Sequence, residues 1–300
     1  MKHLLKLMDL SEKEISEILN TADQLKYEKK NNIPHHILAG KTLGMIFEKS
    51  STRTRVSFEV GMYDLGGAAL FLSSRDLQIG RGEPVEDTAR VLSRYLDGIM
   101  IRTFAQEEVE SLTSVGTIPV INGLTDYCHP CQVLADLMTI REHKGSTKGL
   151  KLCYIGDGNN MTNSLIVGGI KMGMSVAVAC PKGYEPDEKL MKWASTTGNF
   201  VCTDDVFEAA KDADVLYTDV WASMGQEEEA EARKQIFSGY QINSAVMAVA
   251  HKDAMVLHCL PAHREEEITA EVFEAHANEI FDQAENRLHA QKAVLVKCLK

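Results

Sequence analysis

Thr42-Leu43-Gly44-Met45-Ile46-Phe47 is followed first by Glu48-Lys49-Ser50-Ser51-Thr52-Arg53-Thr54-Arg55-Val56-Ser57-Phe58-Glu59 and then by Ala68-Ala69-Leu70-Phe71-Leu72. The outer two runs are apolar and of strand length, and the middle one opens an amphipathic stretch near 53–65. A period that switches from strand to helix and back is the mark of a βα unit in a mostly parallel sheet. The same alternation continues outward. Gly98-Ile99-Met100-Ile101-Arg102 and Ile118-Pro119-Val120-Ile121 read as further strands, with helices near 84–95 and 106–114. A second series runs through strands at 150–155, 175–179, 200–203, 215–218 and 255–258, again with helical patterns between. The fold class expected is α/β: two domains, each a mostly parallel sheet flanked by helices, joined by interdomain helices.

The boundary is expected near Pro130, because proline suits a first helical position and Val133, Leu134, Leu137 and Met138 recur at helical spacing. This gives domains at 1–130 and 131–284, the first completed by a C-terminal helix over 285–300. Residues 1–30 read as a helical pair, with Ser11 and Glu14 forming a capping box.

A chain of 300 residues has room for two such domains. Hydrophobic residues at 44% and charged residues at 25% place it among ordinary globular proteins and exclude disordered or collagen-like classes. The net charge of -11 opposes an extended nucleic-acid footprint. No apolar run is long enough to span a membrane, and no signal or transit peptide is visible at the N-terminus. Seven cysteines, an odd and scattered set, fit reduced thiols in a cytoplasm.

Ligands of open α/β sheets sit beyond the carboxyl ends of the strands, so the residues after each apolar run are the ones to inspect. After the first strand, hydroxyls and guanidinium groups crowd the start of a helix, whose free N–H groups and positive dipole end make an anion seat suited to phosphate. Arg102 closes another strand, and His129-Pro130-Cys131-Gln132 follows a fourth. A lone arginine at a strand end is usually structural; packing alone does not gather several on one rim of an acidic protein. Cys128-His129-Pro130-Cys131 also has the CxxC spacing of a redox pair or half a zinc site, but no second CxxC exists. The turn Gly156-Asp157-Gly158-Asn159-Asn160-Met161 opens like a dinucleotide fingerprint. Met161 stands where the third glycine belongs, and the acid expected about 20 residues on is missing, which disfavours nicotinamide binding. Asn159 and Asn160 remain suited to a small polar ligand. Asp219 with Ser223-Met224-Gly225, and His258-Cys259-Leu260-Pro261, complete the set. Taken singly, Asp219 reads as an Asx cap and Cys259 as a small buried hydrophobe; their place at strand ends raises them, since a carboxylate beside a hydroxyl suits an ammonium group.

Ser51-Thr52-Arg53-Thr54-Arg55, His129-Pro130-Cys131-Gln132, Asp219 with Ser223-Met224-Gly225, and His258-Cys259-Leu260-Pro261 together resemble the motif set of the ornithine carbamoyltransferases, within the aspartate/ornithine transcarbamylase family. The resemblance implies that Ser51, Thr52, Arg53 and Thr54 bind the phosphate of carbamoyl phosphate with Arg102, while His129, Gln132 and Arg287 address the carbamoyl group. It implies that Gln78 reaches a neighbouring subunit's site in a homotrimer with shared active sites. Asn160, Asp219, Ser223 and Met224 would bind the α-groups of L-ornithine, with Cys259 and Leu260 beside its side-chain amine. Arg102, His129, Gln132, Cys259 and Arg287 are the implied catalytic set. The family leaves the position of Cys131 variable, so the CxxC would be incidental. No cofactor or metal is expected, and no nucleic-acid or membrane partner. The competing readings are a transcarbamylase for putrescine, aspartate or an acylated ornithine, a carbamoyl-phosphate-binding regulatory module, and a Rossmann dehydrogenase. The Ser-Met-Gly element argues against the first, and the two intact substrate halves against the second. The connection after Pro261 is short and leads directly toward the next helix.

Overall fold

A computed structural model describes residues 1–75, 77, 82–223 and 227–300, with Glu227 described by its backbone alone. The chain forms two compact units, Met1–Met138 with Asn286–Lys300, and Thr139–Glu285. The chain passes from one to the other within α5 (Pro130–Lys144) and returns within α12 (Ala277–Leu299). The changeover at 138/139 lies inside the helix that begins at the expected boundary, Pro130.

In the first unit β1 (Thr42–Phe47), β2 (Ala68–Ser73), β3 (Gly98–Arg102) and β4 (Val120–Leu124) form a parallel sheet of order β2-β1-β3-β4. Between them run α2 (Thr52–Asp64), α3 (Val85–Leu92) and α4 (Gln106–Val115). Ile46, Ile99, Ile101 and Val120 of the sheet pack with Ala89, Val109 and Leu112 of the helices. Their alternation on the strands and helical spacing elsewhere are what the hydrophobic pattern encodes.

Local expectations for the first unit differ from the structure at the N-terminus and at the fourth strand. Residues 1–30 hold one long helix, α1 (Glu12–Lys30), preceded by a single 3-10 turn over Leu7–Asp9. The backbone ahead of it is extended instead: Leu4 N–H donates to the Val120 carbonyl (2.9 Å) and Leu4 carbonyl accepts from Asn122 N–H (2.7 Å), so it pairs with the edge of β4. That pairing is remote in sequence and leaves no periodic trace. The Ser11–Glu14 capping box is present. The fourth strand starts at Val120 rather than Ile118, because Pro119 has no N–H for the ladder. It continues through Gly123, where an added Cβ would stand 2.5 Å from the Met100 sulfur. That close approach accompanies a register shift between Ile101 and Arg102, at the end of β3 where the arginine is presented.

The second unit carries the parallel sheet β7-β6-β5-β8-β9, from β5 (Lys151–Ile155), β6 (Ser175–Ala179), β7 (Phe200–Thr203), β8 (Val215–Thr218) and β9 (Met255–His258). The order reverses at β5, so the turns after β5 and β8 open at the switch point where such sheets take ligands. Its core joins Cys153, Ile155, Ala177, Leu216 and Val256 to Val272, Phe273 and Ile280. Helix α12 runs over 23 residues, longer than the expected 285–300. Its N-terminal part belongs to this unit, through buried Ile280 and the Gln283 amide donating to the Tyr217 hydroxyl (3.2 Å). Among the described residues no helix is long and apolar enough to cross a membrane.

Candidate active site

In the first unit the loop after β1 turns into α2 at Ser51, whose hydroxyl caps the helix by accepting from Thr54 N–H (3.2 Å). The Ser51 hydroxyl also lies 3.1 Å from that of Thr54, and Arg287 of α12 donates through one Nη to the Thr54 oxygen (2.7 Å). A side chain from the far end of the sequence thus locks onto the helix start. Arg102 emerges from the end of β3, and His129 immediately precedes α5, where Gln132 lies in the first turn. Thr54, Arg102, His129, Gln132 and Arg287 are all buried.

The electrostatics of His129 show how these elements converge. Its pKa is held well below the ordinary imidazole value, first by burial and then by the positive charges of Arg287, Arg102 and Arg53. Three guanidinium groups from α12, β3 and α2 therefore act on one imidazole, which stays neutral at pH 7. Such a cluster in a low-dielectric setting is a seat for an anion carrying more than one charge. Gln132 donates its amide to Asp136 (2.9 Å), and its Oε1 is buried without a hydrogen-bond partner. That acceptor matches a ligand that brings an N–H donor along with its anionic group.

Cys128 and Cys131 are both buried and unbridged. Burial pushes each thiol up to about 12. The Cys131 thiol donates to the Asn122 carbonyl (3.4 Å) and the Cys128 thiol to that of Leu5 (3.5 Å). Each thiol is thus packed in the interior and engaged by a backbone carbonyl.

In the second unit Asn159 caps α6 (Asn160–Lys171), accepting from Met161 N–H (2.9 Å) and Thr162 N–H (3.3 Å). Its side-chain amide donates to Asp219 Oδ2 (3.1 Å), while Asp219 Oδ1 accepts from Val220 N–H (2.8 Å) and the Cys259 thiol (2.9 Å). Asp219 and Cys259, 40 residues apart, are therefore in direct contact. Asn160 begins α6 next to the capping residue, and Ser223 is half-buried in the loop beyond β8. Gln78 and Met224 lie outside the described residues. Gly158 explains the imperfect dinucleotide fingerprint: a Cβ there would fall 2.4 Å from the backbone of Glu185 and Pro186. The glycine lets two chain segments touch; it is not there to admit a pyrophosphate.

Several contacts lay beyond sequence reasoning. Asn159 read as a group for a small polar ligand, with no hint that it caps α6 or meets Asp219. The buried pair of Arg233 with Asp157 (2.9 Å) spans 76 residues and has no local signature. Burial outweighs Arg233 here, so the Asp157 carboxyl is raised from its ordinary value. Asp219, His258 and Cys259 also bring one donor atom each to within 4.8 Å of one another, as a metal site would. Both ring nitrogens of His258 are already engaged, by Leu260 N–H (2.9 Å) and Glu267 (3.0 Å), so the imidazole has no lone pair to offer without breaking that order.

Fold and site together define a group-transferring enzyme of the α/β class, with a buried cationic seat in one unit and a carboxylate–thiol pair in the other. Residues 2–142 match the carbamoyl-phosphate-binding domain of the aspartate/ornithine carbamoyltransferases, and residues 148–298 match their aspartate/ornithine-binding domain. The chain belongs to the aspartate/ornithine carbamoyltransferase family. It is 59% identical over 303 residues to an ornithine carbamoyltransferase of Anoxybacillus flavithermus, covering 99% of this chain and 96% of the relative. It is 56% identical over 299 residues to the anabolic ornithine carbamoyltransferase of Pyrococcus furiosus, covering 98% and 95%. The solved structure of ornithine carbamoyltransferase from Pyrococcus furiosus superposes with a TM-score of 0.95 at 55% identity, covering 99% of this chain and 97% of that one.

Proposed function

We propose that this chain transfers the carbamoyl group of carbamoyl phosphate to the δ-amine of L-ornithine, giving L-citrulline and phosphate. The observation that carries the reading is the convergence of Arg53, Arg102 and Arg287 on neutral His129 behind the capped start of α2. In this reading Ser51, Thr52, Arg53, Thr54 and Arg102 hold the phosphate. His129 and Arg287 polarise the carbamoyl oxygen, and Gln132 Oε1 accepts from the carbamoyl N–H. Asn160, Asp219, Ser223 and Met224 take the α-groups of ornithine, and Cys259 with Leu260 flank its side-chain amine. The amine attacks the carbamoyl carbon, a tetrahedral intermediate forms, and the C–O bond to phosphate breaks. Fixed donors stabilise the oxyanion and the departing phosphate without a covalent enzyme intermediate.

The test is citrulline formation from carbamoyl phosphate with ornithine, beside putrescine, aspartate and N-acetylornithine as acceptors. Preference for any of the last three overturns the assignment. An expected pH dependence follows from the nucleophile. A δ-ammonium resembling lysine, with pKa about 10.4, is almost wholly charged at pH 7, so kcat/KM for ornithine rises with pH across 6 to 9. His129 adds no step in that window, because its depressed pKa keeps it neutral throughout. A flat profile measured by initial rates contradicts the reading.

A homotrimer with shared active sites is the assembly we propose, with Gln78 reaching the neighbouring site. Edge strand β2 exposes Leu70 (47%), an apolar side chain on an outer strand that a second copy of the chain would cover. Leu70→Glu is expected to lower the sedimentation mass and the activity together; an unchanged mass counts against this edge. Seven unbridged thiols suit a reducing compartment, and cytoplasmic operation is our reading.

A further inference from the structure

We propose that Glu267 and His258 are positioning residues for the turn Cys259–Leu260, and that they set the enzyme's grip on the side-chain amine of its acceptor. The inference rests on the proposed role of Cys259 and Leu260 beside that amine. It concerns two buried residues to which the reaction as described gives no part.

The tautomer of His258 follows from the backbone. Leu260 N–H donates to His258 Nδ1 (2.9 Å), and a backbone amide is always the donor, so Nδ1 carries the lone pair and the proton sits on Nε2. Nε2–H then donates to Glu267 Oε1 (3.0 Å). Both side chains are wholly buried. The same carboxylate oxygen accepts from His263 N–H (2.6 Å), and the Glu267 carbonyl accepts from Ile242 N–H (2.9 Å), which ties Glu267 to the core around Ile242 and Ile268. Glu267 thus spans the turn from its far side.

The turn needs such a restraint. Leu260 has φ +60°, the left-handed region that a leucine rarely occupies. Cys259 is held by its thiol on Asp219 (2.9 Å), and Leu260 by its N–H on His258. Without the carboxylate, His258 is free to carry its proton on Nδ1, where it would face the Leu260 N–H donor to donor and turn that amide away. The change falls on the Leu260 amide, whereas Asp219, which takes the acceptor's α-groups in this reading, keeps its Asn159 and Val220 donors and registers it far less. The signature is therefore a loss of affinity confined to the amine.

The experiment compares L-ornithine with L-norvaline, which has the same carbon chain and no side-chain amine, in the full-length enzyme with carbamoyl phosphate present. Glu267→Ala is expected to raise the KM for ornithine tenfold or more, while the Ki of norvaline and the KM for carbamoyl phosphate move less than threefold. Glu267→Gln keeps an oxygen to accept from His258 and is expected to restore ornithine to within threefold of wild type. Equal weakening of norvaline and ornithine, or no weakening of either, overturns the proposal. Should Glu267→Ala not fold, His258→Asn and His258→Leu carry the test. Asparagine presents an amide oxygen where Nδ1 was and retains ornithine binding; leucine presents none and loses it tenfold. Equal ornithine affinity in those two variants is again fatal. A wild-type enzyme that makes no citrulline would instead overturn the functional reading itself, which separates the two failures.

Discussion

Replacing Arg102 with leucine is expected to lower kcat/KM for carbamoyl phosphate by about a thousandfold, roughly 4 kcal/mol of transition-state stabilisation. The guanidinium is buried at the end of β3 and acts on His129 together with Arg53 and Arg287. In that setting its charge is poorly screened, and both the phosphate and the developing oxyanion lose a fixed donor. Leucine fills most of the space with apolar atoms and removes a buried cation, so the thermal midpoint should change little. The same variant has a second readout. Arg102 is one of three charges that depress His129, so its removal should move the imidazole pKa upward in an NMR titration. Burial is the larger cause and persists, so the value should stay below the ordinary one. A loss of less than tenfold in kcat/KM, with an unmoved imidazole, would show that Arg102 has no share in the anion seat.

Asp219→Asn should act on the other substrate. Three donors, the Asn159 amide, Val220 N–H and the Cys259 thiol, meet on the two carboxylate oxygens. An asparagine presents a donor at one of those positions, so in either orientation of its amide a donor faces a donor. The negative charge that would balance the ornithine α-ammonium is lost as well. Charge-assisted hydrogen bonds of this kind contribute about 1.5–3 kcal/mol each, so the KM for ornithine should rise about a hundredfold. The KM for carbamoyl phosphate should stay within threefold, because its proposed ligands all lie in the other unit. Steady-state kinetics with each substrate varied in turn decides the matter: equal increases in both constants would place Asp219 in a general structural role.

How much of this was legible beforehand depends on the distance over which each feature is encoded. β1, β3, β6, β7, β8 and β9 match their apolar runs residue for residue, because strand formation there follows from a local pattern, packed on both faces in all but the edge strand β7. The crowding of hydroxyls at the start of α2 and the start of α5 at Pro130 were equally local. The N-terminal segment was not, since Leu4 finds its partners at Val120 and Asn122. Nor was the start of β4, where Pro119 interrupts a run that looks continuous by hydropathy alone.

The sequence by itself determined the α/β class, the strand ends at which chemistry-bearing residues appear, and the motif set that resembles the carbamoyltransferases. These are properties of neighbouring residues, and side-chain periodicity and capping chemistry write them directly into the order of amino acids. Only the tertiary structure decided which of those residues meet. It set Arg287 against Thr54 across 233 positions and Cys259 against Asp219 across 40. It also made His129 neutral and fixed His258 in one tautomer through Leu260 and Glu267. Charge state and tautomer depend on burial and on through-space partners, and a linear sequence specifies neither until the chain has closed on itself.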